Sequence, residues 1–84
     1  MSTSHLEIAH GATLELYTSP TCPYCREARE YYAMRGVPYV EHDAQNDPKA
    51  RERMFAYAKG DPTVPAIVVD GTYVRSGWGD PPRG

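Results

Sequence analysis

Proline and glycine set the limits on this chain. Eight prolines and seven glycines fall among its 84 residues. That is roughly 18% of the chain, against an average near 12%. Proline removes a backbone donor and fixes φ, and glycine ends helices and turns strands. The elements between these breaks must be short. The length leaves room for one core only, so residues 1–84 are expected to form a single domain, with residues 1–10 as a loose arm. Apolar residues are 40% of the chain and charged residues 24%, a balance that suits a soluble globular fold.

Nine basic against eleven acidic side chains give a net charge of −2. A nucleic-acid binder would show a basic excess, so that class is disfavoured. The longest apolar run, Val64–Val69, is far short of the ~20 residues a membrane helix needs. His5, Glu7 and His10 stand where a secretion signal would have its apolar core. The expected location is therefore cytoplasmic.

The segments between breaks read as β-α-β-α-β-β. Leu14, Leu16, Tyr17 and Thr18 suit a first strand over 13–18. Thr21 is a candidate cap for a helix over 23–35, with Pro23 in its first turn and Gly36 past its end. On that helix Ala28, Tyr31, Tyr32 and Arg35 share one face, and Arg26, Glu27, Arg29 and Glu30 share the solvated one. Residues 37–42 read as a second strand. Asn46 or Asp47 caps a second helix that begins at Pro48 and ends before Gly60. Its periodicity places Arg51, Met54, Phe55 and Ala58 together, so Met54 and Phe55 are expected in the core. Ala66–Val69 is a dense β-branched run, and Asp70-Gly71 is a hairpin turn signal leading to a strand over 72–75. Strands alternating with helices predict a parallel pair joined by a crossover. The terminal hairpin then adds antiparallel strands, giving an α/β fold with a mixed four-stranded sheet.

Both cysteines sit in one tetrapeptide, Cys22-Pro23-Tyr24-Cys25. A bridge closing so small a loop constrains the unfolded chain little, so the pair suits chemistry better than stapling. Cys22, at the helix start, would meet unpaired backbone N–H groups and the positive end of the dipole. Both favour a thiolate, the nucleophile in disulfide exchange. Cys22 would attack a substrate disulfide; Cys25, one turn further in, would resolve the mixed disulfide. Arg26 is a candidate for added positive charge. A structural zinc site would need about four ligands. His5, His10 and His42 are available, but there is no second CxxC and no HxxxH pair, so no metal is expected.

Tyr17-Thr18-Ser19-Pro20-Thr21-Cys22-Pro23-Tyr24-Cys25 resembles the active-site strand and helix start of glutaredoxins, whose dithiol members carry this Cys-Pro-Tyr-Cys. Thr63-Val64-Pro65, about 40 residues later, is similar to the family's Thr-Val-Pro loop. The resemblance spans about residues 13–80. It implies a thioredoxin-like fold, a cis peptide bond before Pro65, and thiol–disulfide oxidoreductase activity through Cys22 and Cys25. It also implies that the backbone of Val64 pairs with the peptide-like part of the substrate. Substrate and glutathione contacts are implied for Tyr24, Thr63, Val64, Pro65, Gly77, Trp78 and Asp80. The implied substrates are protein disulfides or glutathione mixed disulfides, with glutathione as reductant.

The chain also departs from the family pattern. No basic residue precedes Cys22 in Thr18–Thr21, where glutathione-using members usually carry lysine. Ser76-Gly77-Trp78-Gly79-Asp80 replaces a Gly-Gly-x-Asp stretch and looks like the Ser-Gly-Phe stretch of the glutaredoxin-like hydrogen donors of ribonucleotide reductase. That likeness makes thioredoxin reductase an alternative donor. Arg51 is a candidate for holding a glutathione carboxylate. Some family members hold an iron–sulfur cluster between two subunits with glutathione, and a carrier role of that kind is the second reading; those members mostly carry Cys-Gly-Phe-Ser. The family's third helix has no counterpart in Asp80–Gly84. The sheet face it would cover is expected to be closed by the N-terminal arm, by Trp78, or by a second copy of the chain as a homodimer.

Overall fold

A computed structural model describes residues 13–79 and 81–84. Six elements run in order: β1 (Leu14–Thr18), α1 (Pro23–Met34), β2 (Tyr39–Asp43), α2 (Pro48–Ala58), β3 (Ala66–Val69) and β4 (Thr72–Ser76). The sheet order is β2-β1-β3-β4. β1 and β2 are parallel, with Leu14 opposite Tyr39, and α1 is the crossover between them. β3 lies antiparallel to β1, with Leu16 opposite Ile67, and β4 antiparallel to β3. This is the mixed sheet expected from the sequence.

β1 and β3 are the inner strands, and both of their faces are covered. Leu14, Leu16 and Ile67 face α1, where Ala28 and Tyr32 meet them. Tyr17, Ala66 and Val68 point the other way, onto Ala50 and Met54 of α2. The alternation along each strand thus divides one sheet between two cores.

Local chemistry explains the element ends. Asp47 caps α2, its carboxylate accepting from the N–H groups of Lys49 (3.0 Å) and Ala50 (3.4 Å). The helix closes through Lys59 and Gly60, both at positive φ. Asp70 and Gly71 also have positive φ, as a type I′ hairpin turn requires. Opposite β3, the ladder skips Val74, so β4 carries a bulge.

Several expectations need correction. The N-cap of α1 is Cys22 and not Thr21; the Thr21 hydroxyl instead donates to Gln45 at 3.0 Å. Pro23 at the first helical position places the cap on the residue just before it. The helix ends at Met34, with Arg35 as its C-cap, and β2 covers 39–43 where 37–42 was expected. Arg35 is not packed on the core; its guanidinium lies 3.8 Å from the centre of the Tyr31 ring. Arg29, placed on the solvated face, forms a half-buried ion pair with Glu41 at 2.7 Å. Phe55 is 36% exposed while Met54 is 2% exposed. The buried stripe on α2 is only Ala50, Met54 and Ala58, and Phe55 stands 100° around from Met54.

After β4 no helix follows among the described residues. The chain turns back instead. Trp78 and Arg83 exchange both backbone hydrogen bonds, at 2.7 and 2.8 Å. Gly77 has φ +94°, and a β-carbon there would stand 2.8 Å from Pro82. Only glycine fits that corner. Trp78, 9% exposed, packs edge-on against Tyr31 and Tyr32 at ring-centre distances of 5.3 and 5.8 Å. Of the expected covers for the α1 face, Trp78 is the one seen; residues 1–10 lie outside the described residues. No helix of the described residues is long and apolar enough to cross a membrane.

Candidate active site

The strand-to-helix turn after β1 presents the two cysteines differently. Cys22 occupies the N-cap of α1, half-buried, with no side-chain acceptor on the first turn of the helix. Pro23 contributes no N–H. The free donors of that turn therefore begin with Tyr24 and Cys25, and an anion at Cys22 is what they can serve. The Cys22 Sγ lies 3.9 Å from the carbonyl oxygen of Val64. The Val64–Pro65 peptide bond is cis, as the resemblance implied. The CxxC turn and the Thr63-Val64-Pro65 loop, 42 residues apart, thus form one site.

Cys25 is fully buried. The Ser19 N–H donates to its Sγ at 3.5 Å. Burial pushes the Cys25 thiol up from 9.0 to about 12, opposed by the Ser19 N–H, and the neighbouring Cys22 adds to the rise while the Arg29 charge opposes it. A thiol held protonated in this way does not initiate exchange, which leaves that task to Cys22. Arg26, the expected source of positive charge, is instead paired with Glu30 on an exposed face at 3.2 Å. Arg29, four residues after Cys25, is the basic residue that bears on the buried thiol. Its helical spacing was visible in the sequence; its partner Glu41 depended on the fold.

The rise carries a stability prediction. Cys25 and Tyr32 are both raised to about 12, from 9.0 and 10.0, chiefly by burial. A raised folded pKa means stability fully present below the unfolded pKa and lost as pH climbs toward the folded one. The reduced protein is expected to lose stability in denaturant melts between about pH 9 and about pH 12. The oxidised form, with no Cys25 proton to release, should lose less over the same range. Equal slopes for both forms would count against a buried, protonated Cys25.

The remaining sequence-selected residues are only partly brought together. Thr63 and Val64 are half-buried beside Cys22, and the Thr63 N–H donates to Asp61 at 2.9 Å. The Gly77 N–H is occupied, donating to the Pro65 carbonyl at 2.8 Å. Tyr24 and Trp78 line a shallow cleft with Glu27, Gly79, Pro81 and Arg83. Asp80 lies outside the described residues. Gly84 rests against the Val64 carbonyl and the Thr63 methyl group. Arg51 donates through Nε to the Ala44 carbonyl at 2.9 Å and through Nη2 to that of Gln45. Among the described residues no three His, Cys, Asp or Glu side chains gather as a metal site.

A mixed sheet with a CxxC at the first strand-to-helix turn, facing a cis-proline, defines a thioredoxin-like thiol protein. Comparison with known proteins narrows the class. Residues 14–74 match the glutaredoxin family profile. A probable glutaredoxin of Synechocystis sp. is 36% identical over 67 residues, covering 80% of this chain and 76% of the relative. Glutaredoxin 3 of Escherichia coli is 35% identical over 63 residues, covering 75% of each. The crystal structure of the thioredoxin-like protein BC3987 superposes with a TM-score of 0.69 at 32% identity, over 81% of this chain and 90% of that one. The chain belongs to the glutaredoxin family, whose general activity is thiol–disulfide exchange.

Proposed function

We propose that this chain reduces protein disulfides or glutathione mixed disulfides through the Cys22/Cys25 dithiol. The observation that carries the reading is the asymmetry of the pair: Cys22 capping a helix and facing the Val64 carbonyl, Cys25 buried one turn behind. The Cys22 thiolate attacks one sulfur of the substrate disulfide. One S–S bond forms as the other breaks, and the leaving thiolate takes a proton from solvent. Cys25 then gives up its proton and attacks the Cys22 sulfur, releasing the second substrate thiol. Ser19 N–H and Arg29 stabilise the charge that develops on Cys25. Two electrons pass to the substrate and a Cys22–Cys25 disulfide remains.

Glutathione, the usual reductant of the family, would return those electrons. The backbone at Val64 is the edge on which its peptide-like part would lie. Tyr24, Thr63, Pro65, Gly77, Trp78 and Asp80 remain the proposed surrounding contacts.

The Cys25→Ser variant tests the division of labour. It is expected to keep attacking a glutathione mixed disulfide of a small peptide at near the parent rate. On a protein with an internal disulfide, turnover should fall by about a hundredfold or more, because the mixed disulfide has no resolving thiol. Equal rates for variant and parent on both substrates would defeat the reading.

A further inference from the structure

Glu41 of β2 stands close to the supports of the buried thiol, and no step above uses it. The alternation of β1 puts Leu14, Leu16 and Thr18 on the α1 face, and Glu41 lies opposite Leu16 on the neighbouring strand. Thr18 is 2% exposed, and its hydroxyl donates to the Glu41 Oε2 at 2.5 Å. The same oxygen accepts from the Arg29 Nη1 at 2.7 Å. One carboxylate oxygen thus ties α1 to β1 across the edge strand.

Both tied elements bear on Cys25. Arg29 follows it by one helical turn, so the two side chains are neighbours along α1, and the Arg29 charge favours the thiolate. Thr18 precedes Ser19, whose N–H donates to the Cys25 Sγ at 3.5 Å. Glu41 holds the guanidinium directly and the Ser19 amide through Thr18. Its own charge works the other way, because a negative charge beside the guanidinium offsets part of its field at the sulfur. Asp43 lines the same cleft but is engaged elsewhere. Its carboxylate accepts from the N–H groups of Gln45 and Asn46 and from the Asn46 Nδ2.

We infer that Glu41 is a positioning residue that restrains the resolving step: acting through Arg29, it sets how readily Cys25 attacks the mixed disulfide, and removing its charge while keeping its shape speeds that attack. The inference rests on the thiol-exchange reading above and concerns its second step only. In that step the Cys25 proton passes to solvent and the thiolate attacks the Cys22 sulfur. The Cys22–Cys25 bond forms as the bond to the substrate breaks, and the substrate thiolate takes a proton from solvent. The ion pair lines an open cleft of about 370 Å3, its side chains 25% and 34% exposed. Either member can therefore lose its charge without stranding the other away from water.

The test uses the reduced full chain and one equivalent of dipyridyl disulfide, an uncharged reagent. Attack by Cys22 releases one thiopyridone and leaves the other on Cys22; attack by Cys25 releases the second. Stopped-flow absorbance reads one phase for each, and the second must vanish in Cys25→Ser. A tenfold change in the thiolate fraction is partly returned as nucleophilicity, leaving about threefold in rate. Relative to the first phase, the second is expected to be about threefold faster in Glu41→Gln and about threefold slower in Arg29→Gln. Damage to the fold would move both variants in the same direction, whereas a charge acting on Cys25 moves them apart. A second phase in Glu41→Gln that is unchanged or slower overturns the inference, as does one in Arg29→Gln that matches the parent. If the parent shows neither phase, or Cys25→Ser keeps both, the exchange reading itself is wrong. If the parent shows both phases and Glu41→Gln fails to speed the second, only the role of Glu41 is lost.

Discussion

Cys22→Ser is expected to abolish disulfide exchange, by about a thousandfold or more. A serine hydroxyl is a far weaker nucleophile toward disulfide sulfur than a cysteine. No other thiol can stand in, because the chain has only two cysteines and the second is fully buried. The side chain at 22 is half-buried, 3.9 Å from the Val64 carbonyl and beside the Cys25 thiol. The fold of the reduced protein should therefore hold, with a stability change within about 0.5 kcal/mol. Hydroxyethyl disulfide turnover and a denaturant melt on the same sample check both halves of the expectation. Full activity in the variant would remove Cys22 from the mechanism.

Trp78→Ala is expected to cost about 3–5 kcal/mol, the range for emptying a buried tryptophan site. A domain of this length holds about 4–13 kcal/mol in all, at roughly 0.05–0.15 kcal/mol per residue. At the low end of that range the variant would be close to unfolded at room temperature. The size of the effect follows from position. Trp78 joins Leu14, Leu16, Ile67, Ala28 and Tyr32 in the core on the α1 face. Its edge-on contacts with Tyr31 and Tyr32 add about 0.5–1.5 kcal/mol each beyond the area buried. Urea melts of parent and variant measure the difference. A loss below about 1 kcal/mol would mean that the indole is a surface decoration and that the α1 face is closed by other means.

Much of the architecture was legible because the chain breaks are chemically explicit. Pro48 and Gly60 bracket α2, Asp70-Gly71 specifies its turn, and Ala66–Val69 is too β-branched and too short to be anything but an inner strand. The site was legible for a different reason: the resemblance rested on two separate motifs, and the fold brings them within contact distance. What escaped the sequence was set by neighbours. Thr21 looked like a cap because its hydroxyl suits one, yet Pro23 moved the cap to Cys22 and left Thr21 to hold Gln45. Phe55 looked buried because its spacing fits a broad stripe, yet α2 buries only every fourth residue. The Arg29–Glu41 pair joins a helix to an edge strand, so its existence depends on sheet register and not on any local pattern.

The Val64 carbonyl has one further consequence, which concerns occupancy. Gly84 already lies against that oxygen, and the paired backbone of Trp78 and Arg83 delivers it there. A peptide arriving at the same edge meets Gly84 already there. If substrate backbone pairs at Val64, as proposed above, chain and substrate compete for that oxygen, and the apparent affinity is the intrinsic one scaled by the fraction of time the edge stands vacant. Residues 81–84 therefore also bear on how readily the dithiol is reached.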